Sequence, residues 1–176
     1  MQEHLVLTVT SHDKPGVIEA IAQSVSTHNG NWLESKLAQL AGKFVGVIRV
    51  SIQTEHVQPL ETSLQALRTK GIYVLSEIER PTENLKKLGQ SASFHALGPD
   101  RQGIIKELSS AFASHHINVE ELDTTLSSMP YSGEPLFEAS GRILMPNVQN
   151  IEDLHSHLDE IANDLGIDIS VKLYTP

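Results

Sequence analysis

The chain has no cysteine among its 176 residues, which removes disulfide cross-links, thiolate nucleophiles and thiolate metal ligands from consideration. Compartment does not follow from that absence, because many cytosolic chains lack the residue. Long apolar runs are missing too, and none approaches the ~18 residues that a membrane-spanning helix needs. The opening MQEHLVLTVTSHDKPG carries an acid where a secretory leader carries bases, and its apolar positions alternate with threonine. No signal peptide is read there. A soluble protein of the cytoplasm, with no membrane contact, is the expectation. Positive charge is scarce and unevenly placed: 13 Lys and Arg stand against 22 Asp and Glu, for a formal net charge of −9. Residues 1–80 carry 7 bases against 8 acids, whereas residues 91–176 carry 4 against 13. A nucleic-acid binder needs a basic face whose cations release counterions from phosphates. The acidic second half would repel them, so direct nucleic-acid binding is not expected. The acidity reads first as a solvating surface and second as a field that steers a basic partner. Catalytic signatures are also missing: there is no Gly-x-Ser-x-Gly elbow, no Walker loop and no Rossmann glycine fingerprint. Neither an enzyme nor a bound cofactor is expected.

What is present is a repeat. HDKPG at residues 12–16 and PDRQG at residues 99–103 each place an acid, a base and a glycine between an alternating apolar run and a helical pattern. Shifting the sequence by 87 positions lays Val17-Ile18 on Ile104-Ile105 and Asn31-Trp32 on Asn118-Val119, the mark of an internally duplicated architecture. Leu5, Leu7 and Val9 alternate with the period of a strand, over 4–11. Beyond Gly16, apolar Ile18, Ile21, Ala22 and Val25 recur at helical spacing and are predicted to share the inward face. That helix should stop near Asn29-Gly30. Strands over 31–40 and 44–52 are predicted to join at Ala41-Gly42-Lys43, where glycine permits a tight hairpin. A second helix bearing Leu60, Leu64 and Leu67 closes at Lys70-Gly71, glycine suiting the position after a helix end, and a strand follows over 72–78. The second half repeats this order with a strand over 91–97, a helix over 103–115 and strands over 118–126 and 136–144. A helix bearing Ile151, Leu154, Leu158, Ile161 and Leu165 then ends at Gly166 before a last strand over 167–173. Pro81 removes a ladder donor and ends the first copy. The assignment is a first domain over 1–80, a polar linker over 81–90 and a second domain over 91–176. Modules of this size bury only about 60% of their unfolded surface, so the two are expected to dock.

The order βαββαβ, occurring twice, is the ferredoxin-like arrangement of the α+β class: a four-stranded antiparallel sheet with two helices on one face. Fold by itself leaves function open. The corner motif, the glycine that opens the first helix and the asparagine that opens the second strand together resemble the ACT domain, a small regulatory module. The resemblance runs as a tandem pair over nearly the whole chain, and a stand-alone tandem of this length is similar to the glycine cleavage system transcriptional repressor family. It implies a non-enzymatic, repressor-type transcriptional regulator that senses a small amino acid, glycine or serine with glycine foremost, at an ACT–ACT interface. It also implies action on a protein partner, a DNA-binding transcription activator, and not on an operator. The ligand would be held by the corner of one module and the second-strand start of another. Those positions are His12, Asp13, Gly16 and Asn31 in the first copy, and Asp100, Gly103 and Asn118 in the second. Their chemistry is suitable, because the first amides of a helix lack intrahelical partners and with the helix dipole favour a carboxylate. Glycine lets a ligand approach that backbone, an amide and a carboxylate can accept from its ammonium group, and His12 can donate to its carboxylate. One departure stands out: well-known serine-binding ACT domains have asparagine at the corner. The ionised aspartate here cannot donate to a carboxylate and suits the ammonium instead.

Each of these residues has a plainer reading. Asp13 and Asp100 suit helix caps or turn closure, Asn31 and Asn118 can simply follow a helix end, and Lys14 and Arg101 can be solvated charges. Pro15 fits the first helical position and reads as scaffold. His115-His116 are adjacent and His155 and His157 are two apart on a helix, which points them apart. Neither is a ligand set, so these histidines are expected at the surface and no metal site is expected. Two other functions stay open, a feedback subunit acting in trans on an enzyme of amino-acid metabolism and a ligand-free dimerisation scaffold, as does assembly into a homo-oligomer. The copies differ most at the second hairpin, SSMPYSGEP over 127–135 against AGK in the first. A variable surface loop is one reading; a partner contact through Met129 and Tyr131 is the other. If it is a contact, exchanging both for serine weakens the complex, and an unchanged binding isotherm removes the loop from the interface.

Overall fold

The alternation at the start of the chain forms strand β1 (Gln2–His12), whose Leu5, Leu7 and Val9 are buried while Thr8 and Thr10 are exposed. The structure is a computed structural model that describes residues 1–79, 89–146 and 151–174, and the chain separates into two units, Met1–Thr82 and Glu83–Pro176. In unit 1, β1 is followed by α1 (Val17–Thr27), β2 (Asn31–Leu40), β3 (Lys43–Gln53), α2 (Thr54–Ala66), a 3₁₀ turn (Leu67–Lys70) and β4 (Ile72–Ile78). Unit 2 repeats the order as β5 (Gln90–Pro99), α3 (Ile104–Ser114), β6 (Asn118–Ser128), β7 (Pro135–Met145), α4 (Ile151–Leu165) and β8 (Asp168–Leu173). The sheets are ordered β2-β3-β1-β4 and β6-β7-β5-β8, and every neighbouring pair is antiparallel. Each unit is the ferredoxin-like α+β module that the element order predicts. The expected linker over 81–90 lies outside the described residues except for Gly89 and Gln90, and Gln90 already opens β5.

The inward face of α1 differs from the expected one. Val17, Ile21, Ser24 and Val25 are buried, whereas Ile18 is 48% exposed. The cause is Gly16, which sits at φ 89° and ψ 0° in the left-handed region. The helix therefore begins at Val17, and its first turn sets the i, i+4, i+7, i+8 series. Pro15 accordingly precedes the cap and does not occupy the first helical position. Unit 2 shows the same phase, with Gly103 at φ 98° and Ile104, Leu108, Ala111 and Phe112 buried. The Ser24 hydroxyl is kept satisfied by donating to Ala20 O at 3.1 Å and accepting from Ser63 at 3.2 Å, as a buried polar group requires.

Both cores use the same sites with different volumes. In unit 1, Leu7 on β1 lies opposite Ile48 on β3, and both are fully buried, each contributing about 1.5–3 kcal/mol by burial. In unit 2 the corresponding pair is Phe94 and Gly141. A side chain on Gly141 would collide with Glu121 O and with the Phe94 ring. The larger ring is thus matched to a residue with none, and it packs edge-on against Phe112 at 5.1 Å between centroids. Such volume exchange keeps the packing density that cores need.

The first hairpin closes with Leu40 opposite Lys43, leaving Ala41 and Gly42 at φ 49° and 75°. Two central residues with positive φ make a type I′ turn, for which Asn-Gly is the favoured pair. Alanine is strained there by about 1 kcal/mol. Ala41→Asn is therefore expected to raise unfolding stability by about 0.5–1 kcal/mol. A denaturant titration with an unchanged slope and no rise in midpoint would contradict the turn assignment.

Candidate functional site

Each corner is built where a central strand runs out. After His12 the Asp13 amide donates to Gly42 O at 2.9 Å, and after Pro99 the Asp100 amide donates to Pro135 O at 3.0 Å. The corner is thereby tied to the neighbouring hairpin. Gly16 and Gly103 are the N-caps, and neither helix receives a side-chain cap. Asp13 and Asp100 therefore do not cap, though turn closure stays open to them, and both are exposed. The first-turn amides of α1 and α3 are left with the partial positive charge of a helix start.

Lys14 and Arg101 are both exposed. The Lys14 ammonium donates to Lys70 O at the end of the 3₁₀ turn, where the helix dipole favours a cation. Arg101 takes the matching place in unit 2: a Cβ on Gly166, just past α4, would lie 3.6 Å from its Nη2. On this flank of the first corner lies an open cavity of about 460 Å³, lined in part by Lys14, Gly16, Glu19, Gln23 and Lys70. It offers two ammonium groups, a helix start and a carboxylate, the complement of a small zwitterion. Glu19, Gln23 and Lys70 were not legible as site residues, because only the packing of α1 beside the 3₁₀ turn brings them together.

The asparagines lie elsewhere. Asn31 is opposite Ser51, which is opposite His4, whereas Asp13 follows His12 at the other end of β1. Eight residues of strand separate the two levels, about 27 Å. Unit 2 has the same spacing, because Asn118 is level with Leu144 and Ser91 while Asp100 follows Pro99. His12, Asp13 and Gly16 thus share one end of unit 1, and Asn31 marks the opposite end. No single small amino acid touches both within one unit.

Two of the histidines meet. His115 Nε2 and His157 Nδ1 lie 3.3 Å apart, their ring centroids are 5.6 Å apart, and both are half-buried. The pair joins the end of α3 to α4 across 42 residues of sequence, beyond the reach of any local spacing rule. Among the described residues no group of three or more His, Asp or Glu side chains is placed to hold a metal ion. None of their helices is long and apolar enough to cross a membrane. At the second hairpin Met129 is half-buried and Tyr131 is fully exposed at φ 74°. The tip is held by Met129 N to Glu134 O at 2.7 Å and Gly133 N to Met129 O at 3.1 Å.

Residues 3–72 match the family model of the ACT domain, and unit 2 repeats the strand order of unit 1. Over 122 residues the chain is 26% identical to the glycine cleavage system transcriptional repressors of Escherichia coli (strain K12) and Shigella flexneri. That match takes in 69% of this chain and spans 64% of the length of each relative. Among solved structures, an unknown protein from Galdieria sulphuraria superposes with a TM-score of 0.85 at 21% identity, covering 99% of this chain and 100% of the other. A candidate glycine cleavage system transcriptional repressor superposes at 0.70 with 18% identity, over 100% of this chain and 99% of the other. These likenesses establish the two-module fold.

The corner's anchorage can be tested without a ligand. Lys14→Met removes a charged donor to Lys70 O and is expected to lower unfolding stability by about 1 kcal/mol. Arg101→Met serves as the parallel change in unit 2. Denaturant midpoints unchanged in both variants would show that neither cation anchors its corner in solution.

Proposed function

We propose that this protein is a non-enzymatic regulator of the repressor type that senses a small amino acid, glycine foremost and serine second, and acts through a protein partner. The observation that carries the reading is the duplicated corner: an uncapped helix start opened by a left-handed glycine, with an exposed aspartate beside it, in a chain whose first unit matches the ACT domain. The likeness to glycine cleavage system transcriptional repressors supports the regulatory role. In the proposed complex the ligand carboxylate meets the first-turn amides of α1 with His12 as a further donor, and the ammonium meets Asp13. Corner and asparagine stand about 27 Å apart within one unit. A ligand that touches both must therefore bridge the corner of one ACT module and the second-strand start of another.

The proposed partner is a DNA-binding transcription activator, because the acidic second half disfavours direct contact with phosphates. Met129 and Tyr131, on a hydrogen-bonded hairpin tip, are the contact residues proposed on this chain. Ligand can alter that contact only by its difference in affinity for the free and bound forms, typically about 1–3 kcal/mol.

A thermal-shift series with glycine and serine tests the sensing step, because a ligand bound only by the folded state raises apparent stability. Glycine is expected to raise Tm in a concentration-dependent way, and Asp13→Ala and Asn31→Ala are each expected to remove the shift while leaving the unliganded fold intact. If Tm stays flat with both amino acids, sensing is wrong. If a shift survives both substitutions, the site is wrong.

A further inference from the structure

The two modules join their helices by different chemistry. In unit 1 the Ser63 hydroxyl on α2 donates to the Ser24 hydroxyl on α1 at 3.2 Å. Buried Leu60 and Leu64 of α2 match buried Leu154 and Leu158 of α4, and that alignment lays Ser63 on His157. On the other helix, the shift of 87 positions lays Ser24 on Ala111, which has no hydroxyl, and His28 on His115. His28 sets its Nδ1 2.8 Å from Ser24 O, within its own helix. His115, the C-cap of α3, instead brings Nε2 within 3.3 Å of Nδ1 of His157. A hydroxyl pair in one module is thus replaced by an imidazole pair in the other. Both rings are half-buried, so solutes in water can reach them.

Two facing imidazole nitrogens can be satisfied in two ways. One ring can donate its N–H to the other, since a neutral imidazole holds a proton on one nitrogen and a lone pair on the other. Alternatively, each ring carries its proton on the far nitrogen, Nδ1 of His115 and Nε2 of His157, and both lone pairs face one space. Tautomerisation of neutral rings reaches that state with no change of charge, and a cation must then fill the space. The observed spacing matches one geometry. Zinc holds imidazole nitrogen at about 2.0–2.1 Å, and a tetrahedral angle at the metal sets two such nitrogens about 3.3–3.4 Å apart. The right angle of a square or octahedral ion with bonds of that length would bring them to about 2.9 Å. The geometry points to a zinc site at His115 and His157 that clips the end of α3 to α4. Among the described residues no third His, Asp or Glu is placed to complete the set, so water takes the remaining positions. Unit 1 lacks the site, because Ser63 stands at the place of His157 and His28 is engaged within its own helix.

Titration calorimetry of the full chain with zinc chloride at neutral pH tests this, with no amino-acid ligand present. One zinc per chain is expected, and apparent Tm should rise with zinc concentration, because only the folded state brings the two rings together. His115→Ala and His157→Ala should each weaken binding at least about tenfold, and each should remove the Tm rise. His28→Ala and His155→Ala change histidines outside the pair and should leave both readouts as in the wild type. Circular dichroism establishes that the four variants fold. The imidazole nitrogen resonances of the wild type give a readout that needs no variant: zinc should move His115 Nε2 and His157 Nδ1 together. Neither heat nor a Tm rise up to millimolar zinc overturns the proposal and leaves the pair a simple hydrogen bond. So does binding that survives both His115→Ala and His157→Ala, or zinc that moves the resonances of other histidines and not of these two.

Discussion

A single backbone conformation governs each module. Gly16 and Gly103 hold φ near 90–100° at the junction of central strand and first helix, a region that side-chain-bearing residues avoid. That twist places the helix start at Val17 or Ile104, and those residues open the face that enters the core. It also leaves the first-turn amides without a side-chain cap. The preceding cation is set where it reaches the far end of the second helix, as Lys14 does at Lys70. Helix phase, core composition and the chemistry of the corner are three consequences of one dihedral angle.

Duplication has separated what packing requires from what the surface is free to change. Inside, the copies trade volume while keeping density: Leu7 with Ile48 in one, Phe94 with Gly141 in the other. Outside, no core constrains the sheet face turned away from the helices, and Val47 and Leu75 of unit 1 are matched by Ser140 and Ser170 in unit 2. A bracing arginine persists in both, Arg49 on Glu34 and Arg142 on Glu121, which keeps the bulged edge strands β2 and β6 tied to their neighbours. The longer second hairpin belongs to the same freedom, since its tip is held by its own main-chain bonds and needs nothing from the sheet.

The element order, the antiparallel modules and the corner residues were legible because their signals are local. Period-two alternation, helical spacing and glycine at a turn all act within a few residues, and a repeat states them twice. Ile18 was misplaced because apolar spacing gives a helix's period without its phase, and the phase came from Gly16. Asp13 does not cap its helix, because capping depends on the path of the backbone as well as on residue type.

What the amino-acid order determined by itself was the fold of each module and the chemical kind of its corner, since both follow from short-range patterning. Tertiary structure alone decided which residues meet. It put Lys70 and Glu19 beside the corner, paired His115 with His157, set Asn31 at the opposite end of the sheet from Asp13, and gathered Val45, Val47, Tyr73 and Leu75 on one exposed face. Those neighbours are distant in the chain and are brought into register by strand pairing and helix packing, which no local pattern encodes.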